Sequence, residues 1–125
     1  MSKYFSRKIT VDGIIFDSRK EATRYRELKL LQRVGQISDL QLQVRFELLP
    51  AQYADTESVY TRGAKKGKHK RRCIEQSVVY VADFVYTENG RQIVEDTKGV
   101  RTKDYILKRK LFRWRYGEEY EFREV

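Results

Sequence analysis

The sequence predicts a single α+β domain, and three observations carry that prediction. Val78 to Gly99 reads as two adjacent strands joined by Asn89-Gly90, the strongest short-range hairpin signal. Two stretches, after Ser18 and after Thr102, show helical periodicity, each with a capping residue in front and a glycine behind. The chain of 125 residues is the length of one domain with one real core.

Met1 to Lys8 is a short basic arm. Ile9 and Val11 precede Asp12-Gly13, and Ile14 and Phe16 follow, which predicts a small hairpin with a type I′ turn. Ser18-Arg19-Lys20-Glu21 is a capping-box pattern that opens a helix running to about Val34 and stopping at Gly35. Ala22, Tyr25, Leu28 and Leu31 form its apolar stripe, with Val34 near the end. Leu40 to Leu49 alternates Val44, Phe46 and Leu48 against Arg45 and Glu47, a strand closed by Pro50. Gln41 and Gln43 at its entrance are either metal-shell or phosphate contacts, or simply exposed polar residues.

Ala51 to Ser77 is the least regular segment and is expected to be a long loop. Its middle, Arg62 to Arg72, is a basic run with glycines and no acid. Such runs are often only solvated. Set between two core strands, this one reads as an arm for phosphate contact through Lys65, Lys66, Lys68, Lys70, Arg71 and Arg72. Beyond the central hairpin, Thr102 caps a helix from Lys103 to about Tyr116 that ends at Gly117. Leu107, Leu111 and Trp114 are its expected core stripe, and Arg101, Lys103 and Lys108 join the basic surface. Tyr120 and Phe122 alternate in a short closing strand.

The central hairpin breaks its own pattern. Strand side chains alternate, so Asp83 is expected on one face with Val79, Val81 and Val85. On the next strand Val94, Asp96 and Lys98 share a face, while Ile93, Glu95 and Thr97 point the other way. Strand interiors disfavour aspartate, and a buried carboxylate without a partner costs heavily. Two acids with an ammonium beside them suit a hard divalent cation. Mg²⁺ takes few protein ligands and completes its shell with water and phosphate. An ordinary cross-strand ion pair would place the same residues together. Glu21 is likewise either the reciprocal half of the capping box or a third acid presented to that site.

Charge narrows the partner. Charged residues make up 36% of the chain and the formal net charge is +9, which favours polyanions, nucleic acid foremost. With 40% hydrophobic residues the chain can fold, yet no apolar run is long enough to span a bilayer. The N-terminus lacks the apolar region of a signal peptide, and the single cysteine, Cys73, excludes an internal disulfide. A reducing, cytoplasmic location is expected. Cys73 and the sole histidine, His69, cannot supply a four-ligand zinc site.

The succession helix, strand, strand with Asp83, strand with Asp96-Thr97-Lys98, helix, strand resembles the core of the PD-(D/E)XK nuclease superfamily. Phe16-Asp-Ser-Arg-Lys-Glu-Ala, Val81-Ala-Asp-Phe-Val-Tyr and Val94-Glu-Asp-Thr-Lys-Gly look like a family of small phage-encoded proteins grouped with Holliday junction resolvases. The resemblance implies a restriction-endonuclease-like fold around a mixed sheet. It implies that Glu21, Asp83 and Asp96 bind Mg²⁺, or Mn²⁺ in its place, and that Lys98 steadies the nucleophile or the transition state. Ala82 stands where the superfamily name has proline, and a bulge would put Glu95 on the site face instead of Asp96. The implied activity is metal-dependent cleavage of four-way or otherwise branched DNA by a homodimer, in the cytoplasm of a phage's host. Two other activities fit the same residues: a nicking, flap or transposon-end endonuclease, and a non-enzymatic basic nucleic-acid-binding protein.

Overall fold

The computed structural model describes residues 8–97 and 101–125. The small hairpin is present as β1 (Ile9–Val11) and β2 (Ile14–Phe16). Asp12 and Gly13 both have positive φ, the geometry a type I′ turn requires. Helix α1 spans Arg19–Arg33, with Ser18 as its N-cap and Gly35 in the left-handed region behind it. Strand β3 (Ser38–Leu49) follows.

The expected loop is instead a two-stranded antiparallel ribbon, β4 (Gln52–Val59) and β5 (His69–Glu75). Its strands pair with each other and with no other strand among the described residues. The charge of the segment hides it, because strand periodicity is read from apolar alternation and β5 is exposed along its whole length. Between the strands, Gly63 and Gly67 take positive φ, and Tyr60 and Gly67 close the tip by backbone hydrogen bonds.

The body is a four-stranded sheet completed by β6 (Val78–Glu88), β7 (Arg91–Asp96) and β8 (Tyr120–Glu124), in the order β3-β6-β7-β8. The first three strands are antiparallel, and β8 runs parallel to β7. A parallel neighbour needs a crossover connection, which helix α2 (Lys103–Tyr116) supplies. The protein is therefore an α+β fold with a mixed, strand-rich sheet. No helix among the described residues is long and apolar enough to cross a membrane.

Two apolar cores form on opposite faces of this sheet. Ile93 packs with Phe16, Tyr25 and Leu28 beside α1, while its neighbour Val94 packs with Phe46, Tyr105 and Phe112 beside α2. Val34, expected in the α1 stripe, lies 62% exposed beyond the last turn. Of the stripe expected on α2 only Leu111 packs against the core. Tyr105 and Phe112 are buried, whereas Leu107 and Trp114 face solvent. Both stripes satisfy helical spacing, and the sheet selects the one whose rings stack with Phe46, Tyr80 and Phe122.

One irregularity organises the sheet. Along β6, Tyr80 and Ala82 belong to the α2 core, but Phe84 and Tyr86 belong to the α1 core. Along β3, Leu42 packs against the α1 core and Val44 against the α2 core. Each strand thus changes face once, at Asp83 and at Gln43. The flanking pairs Leu42↔Phe84 and Val44↔Ala82 put these two positions opposite each other. Gln43 makes the change with φ +52, a left-handed conformation in mid-strand. Asp83 therefore does not share a continuous face with Val79 and Val81, since strict alternation ends at that residue.

Candidate functional site

Among the described residues four carboxylates are buried, on three elements: Glu21, Asp83, Glu95 and Asp96. The structure divides them. Glu95 lies one position beyond Val94 and so belongs to the α1 face. There Arg24 holds it in a two-pronged ion pair, Nε to Oε2 at 2.6 Å and Nη2 to Oε1 at 2.8 Å. Tyr86 adds an O–H bond to Oε1 at 2.8 Å. The bond to Glu95, against the cost of burial, holds the Arg24 guanidinium charged well above its usual range. Burial and that same carboxylate push the Tyr86 phenol up to about 12. Glu95 is thus a neutralised structural anion, and the bulge that would have turned it towards Asp96 is not present.

Asp96 lies on the other face and is fully buried. The Tyr80 hydroxyl donates to its Oδ2 at 2.5 Å. Burial, and then the charge of Asp96, push that phenol far above its ordinary value, so it stays a proton-bearing donor. Asp83 is held by a different device. The backbone N–H and the hydroxyl of Thr97 both donate to Asp83 Oδ2, each at 2.9 Å. Asp83 and Asp96 occupy the positions that follow the Phe84↔Glu95 pair. They stand one position beyond the last registered pair of the β6–β7 ladder.

Glu21 reaches the same level from α1. Its backbone N–H donates to Ser18 Oγ at 3.1 Å, which is the cap. Its carboxylate meets Gln43, whose Nε2 donates to Glu21 Oε1 at 3.0 Å. Gln43 stands opposite Asp83 across β3 and β6. Gln43 thus links Glu21 to the strand position opposite Asp83, and Thr97, next in sequence to Asp96, holds the Asp83 carboxylate. The serine half of the capping box is present, since Ser18 accepts from the Glu21 backbone, while the Glu21 side chain is engaged by Gln43.

Lys98 lies outside the described residues, as do residues 1–7 of the basic arm. Among the described residues no three carboxylate, histidine or cysteine side chains converge into a metal cage. On the α2 side a cleft of about 380 Å³ opens beside the site, lined by Tyr80, Val81, Thr102, Tyr105 and Lys108 among others. Sequence reasoning passed over Tyr80, Thr97, Arg24 and Tyr86. The signal for the tyrosines was there, because a buried phenol must find a partner.

The cations named for phosphate contact divide in two. Lys65, Lys66, Lys68, Lys70, Arg71 and Arg72 are exposed on the ribbon and its tip. Lys65 and Lys70 lie over the Tyr60 ring and Arg71 over Tyr53, so aromatic rings hold part of the charge outward. Arg101 instead pairs with Glu124 at 3.0 Å, and Lys108 with Asp104 at 3.5 Å. Lys103 is exposed. His69 and Cys73 sit on the ribbon, each bonded to a nearby backbone carbonyl.

A family described as "Protein of unknown function (DUF1064)" matches residues 1–123. The chain belongs to this family. No curated protein and no solved structure matches it. All four buried carboxylates of this DUF1064 protein lie within the matched span.

Proposed function

We propose that this protein is a Mg²⁺-dependent DNA endonuclease of the PD-(D/E)XK kind, with a restriction-endonuclease-like core, acting on branched DNA such as four-way junctions. The observation that carries the reading is the end of the β6–β7 ladder. Two buried aspartates occupy neighbouring strands there, oriented by neutral donors from Thr97 and Tyr80, with Glu21 reached through Gln43. Burying carboxylates inside a sheet is costly, and a fold that keeps several acids at one level is a candidate for function. The neighbouring Glu95 is engaged on the other face by a guanidinium clamped on both oxygens.

The donor set fits a hard cation. Asp83, Asp96 and Glu21 would hold it. Mg²⁺ keeps several waters and substrate phosphate in its shell, so the three acids need not form a ready-made cage. Bound there, the ion supplies a more acidic water and neutralises charge on the phosphodiester. Tyr80 and Thr97 fix the orientation of the two aspartates, while Gln43 holds Glu21. The basic ribbon supplies phosphate contacts that carry no sequence preference. Paired nicks across a junction call for a symmetric dimer.

The test is cleavage of a labelled four-way junction and a matched linear duplex in Mg²⁺, Ca²⁺ or EDTA, with wild type beside Asp83→Asn. Symmetric Mg²⁺-dependent cuts in the junction, lost in the variant while binding persists, are expected. Equal cutting of both substrates would retain the nuclease and remove the junction preference. Binding without cutting in Mg²⁺ or Mn²⁺, unchanged by Asp83→Asn, would leave a basic DNA-binding protein.

A further inference from the structure

Helix α2 carries a second stripe, on the side away from the sheet. Lys103, Leu107, Lys110 and Trp114 are spaced four, three and four residues apart and so fall on one face. Tyr105 and Phe112, which enter the core, lie on the opposite side. Leu107 is 57% exposed and Trp114 80%, the most exposed large apolar side chain among the described residues. A lone exposed apolar residue needs no explanation, but two on one stripe with lysines between them do. The stripe contains no acid.

Charge decides between occupants. A second copy on this face would add two more lysines to a stripe that has no acid to meet them. A polyanion with flat apolar elements meets no such opposition. Nucleobases offer faces to an indole, and their phosphates offer partners to the flanking ammonium groups. In an intact duplex those faces are already stacked, so only unpaired nucleotides can use the ring. We propose that the Lys103–Leu107–Lys110–Trp114 stripe is a stacking platform for unpaired bases of single-stranded or branched DNA. The inference rests on DNA being the polyanion this chain binds and does not rest on cleavage.

Trp114 is the sole tryptophan, so the protein carries its own probe. The experiment titrates the full chain, in EDTA, with a short oligothymidylate and with a blunt duplex of equal length. Trp114 emission and the anisotropy of end-labelled DNA are followed together. Saturable quenching by the oligothymidylate and little by the duplex is expected. Trp114→Ala should weaken oligothymidylate binding by roughly 5- to 100-fold, leave duplex binding unchanged and be largely rescued by Trp114→Phe. Oligothymidylate that does not bind, binds without quenching, or binds Trp114→Ala as tightly would overturn the proposal. So would an emission change on raising protein concentration without DNA, which would give the face to a second copy. Because no metal is present, a chain that fails to cut junctions can still pass this test.

Discussion

Glu95 and Asp96 are consecutive residues of β7, both fully buried, and the fold treats them in opposite ways. Glu95 faces α1, where Arg24 grips both its oxygens and Tyr86 donates a third bond. Asp96 faces α2, where the phenol of Tyr80 donates to it. The pleat of one strand thus sends one carboxylate to a guanidinium on the α1 side and the next to a phenol on the α2 side. The first arrangement ties down the helix that bears Glu21, since Arg24 is one turn beyond it. The second orients a carboxylate through the Tyr80 hydroxyl at the level the proposed chemistry uses. Burial alone therefore does not mark a site. What separates the two acids is the face each occupies and the donors that orient it, Arg24 and Tyr86 for Glu95 and Tyr80 for Asp96.

Exchanging the consequences of the two positions gives the largest effects. Asp96→Asn should keep the fold and lower Mg²⁺-dependent cleavage by about a thousandfold or more, because an amide cannot serve a hard cation as a carboxylate does. Glu95→Ala should do the reverse. It strands the Arg24 guanidinium and opens a gap beside Tyr86, and breaking such a pair costs about 3 kcal/mol where one partner keeps some water. Urea unfolding and single-turnover cleavage, run on both variants, read the two axes. If Glu95→Ala kept wild-type stability and lost only activity, the division between the acids would fail.

Tyr86 sharpens the same comparison through pH. Its phenol titrates near 10 in an unfolded chain and at about 12 in the fold, so the folded state favours the protonated form. The stabilisation is complete below pH 10 and is lost as pH rises from 10 towards 12. Tyr86→Phe removes one bond to Glu95 and should cost about 1 kcal/mol below that window. The difference between wild type and variant should shrink across the window, because phenylalanine has nothing to ionise. Paired unfolding curves on either side of pH 10 measure it, and a constant gap would place the shift elsewhere.

Where local chemistry sufficed, the sequence was legible. Asp12-Gly13 and Asn89-Gly90 make their turns with positive φ at both residues, and Ser18 and Thr102 cap their helices by accepting from Glu21 and Tyr105. The alternation of Val94 with Glu95 also gave the correct faces of β7. Three features depend on partners distant in the chain and were not legible. Helix α2 offers two plausible stripes, and only the sheet chooses between them. The ribbon is built from polar residues whose pairing leaves no apolar period. The change of face at Gln43 and Asp83 carries no local signal, because glutamine has no preference for the left-handed region.

That last feature yields the smallest effect and the most specific one. Asp12, Asp39 and Asn89 also have positive φ, but all are Asx residues that tolerate it. Gln43 is the exception, a strained backbone in mid-strand whose side chain donates to Glu21. Strain of this kind persists where surrounding structure over-determines it, and it gathers at functional sites. Gln43→Gly relieves the strain and removes the amide. The relieved left-handed penalty is offset by the entropy glycine adds to the unfolded chain and by the lost bond to Glu21, so stability should change by less than about 1 kcal/mol. Mn²⁺ affinity, read by electron paramagnetic resonance on the folded variant, should fall severalfold as Glu21 loses its donor. Gln43→Asn, which tolerates the backbone but cannot span to Glu21, should match the glycine variant in affinity. If both variants bound Mn²⁺ as wild type does, Gln43 would be a feature of the sheet alone, and the coupling of Glu21 to Asp83 through it would be wrong.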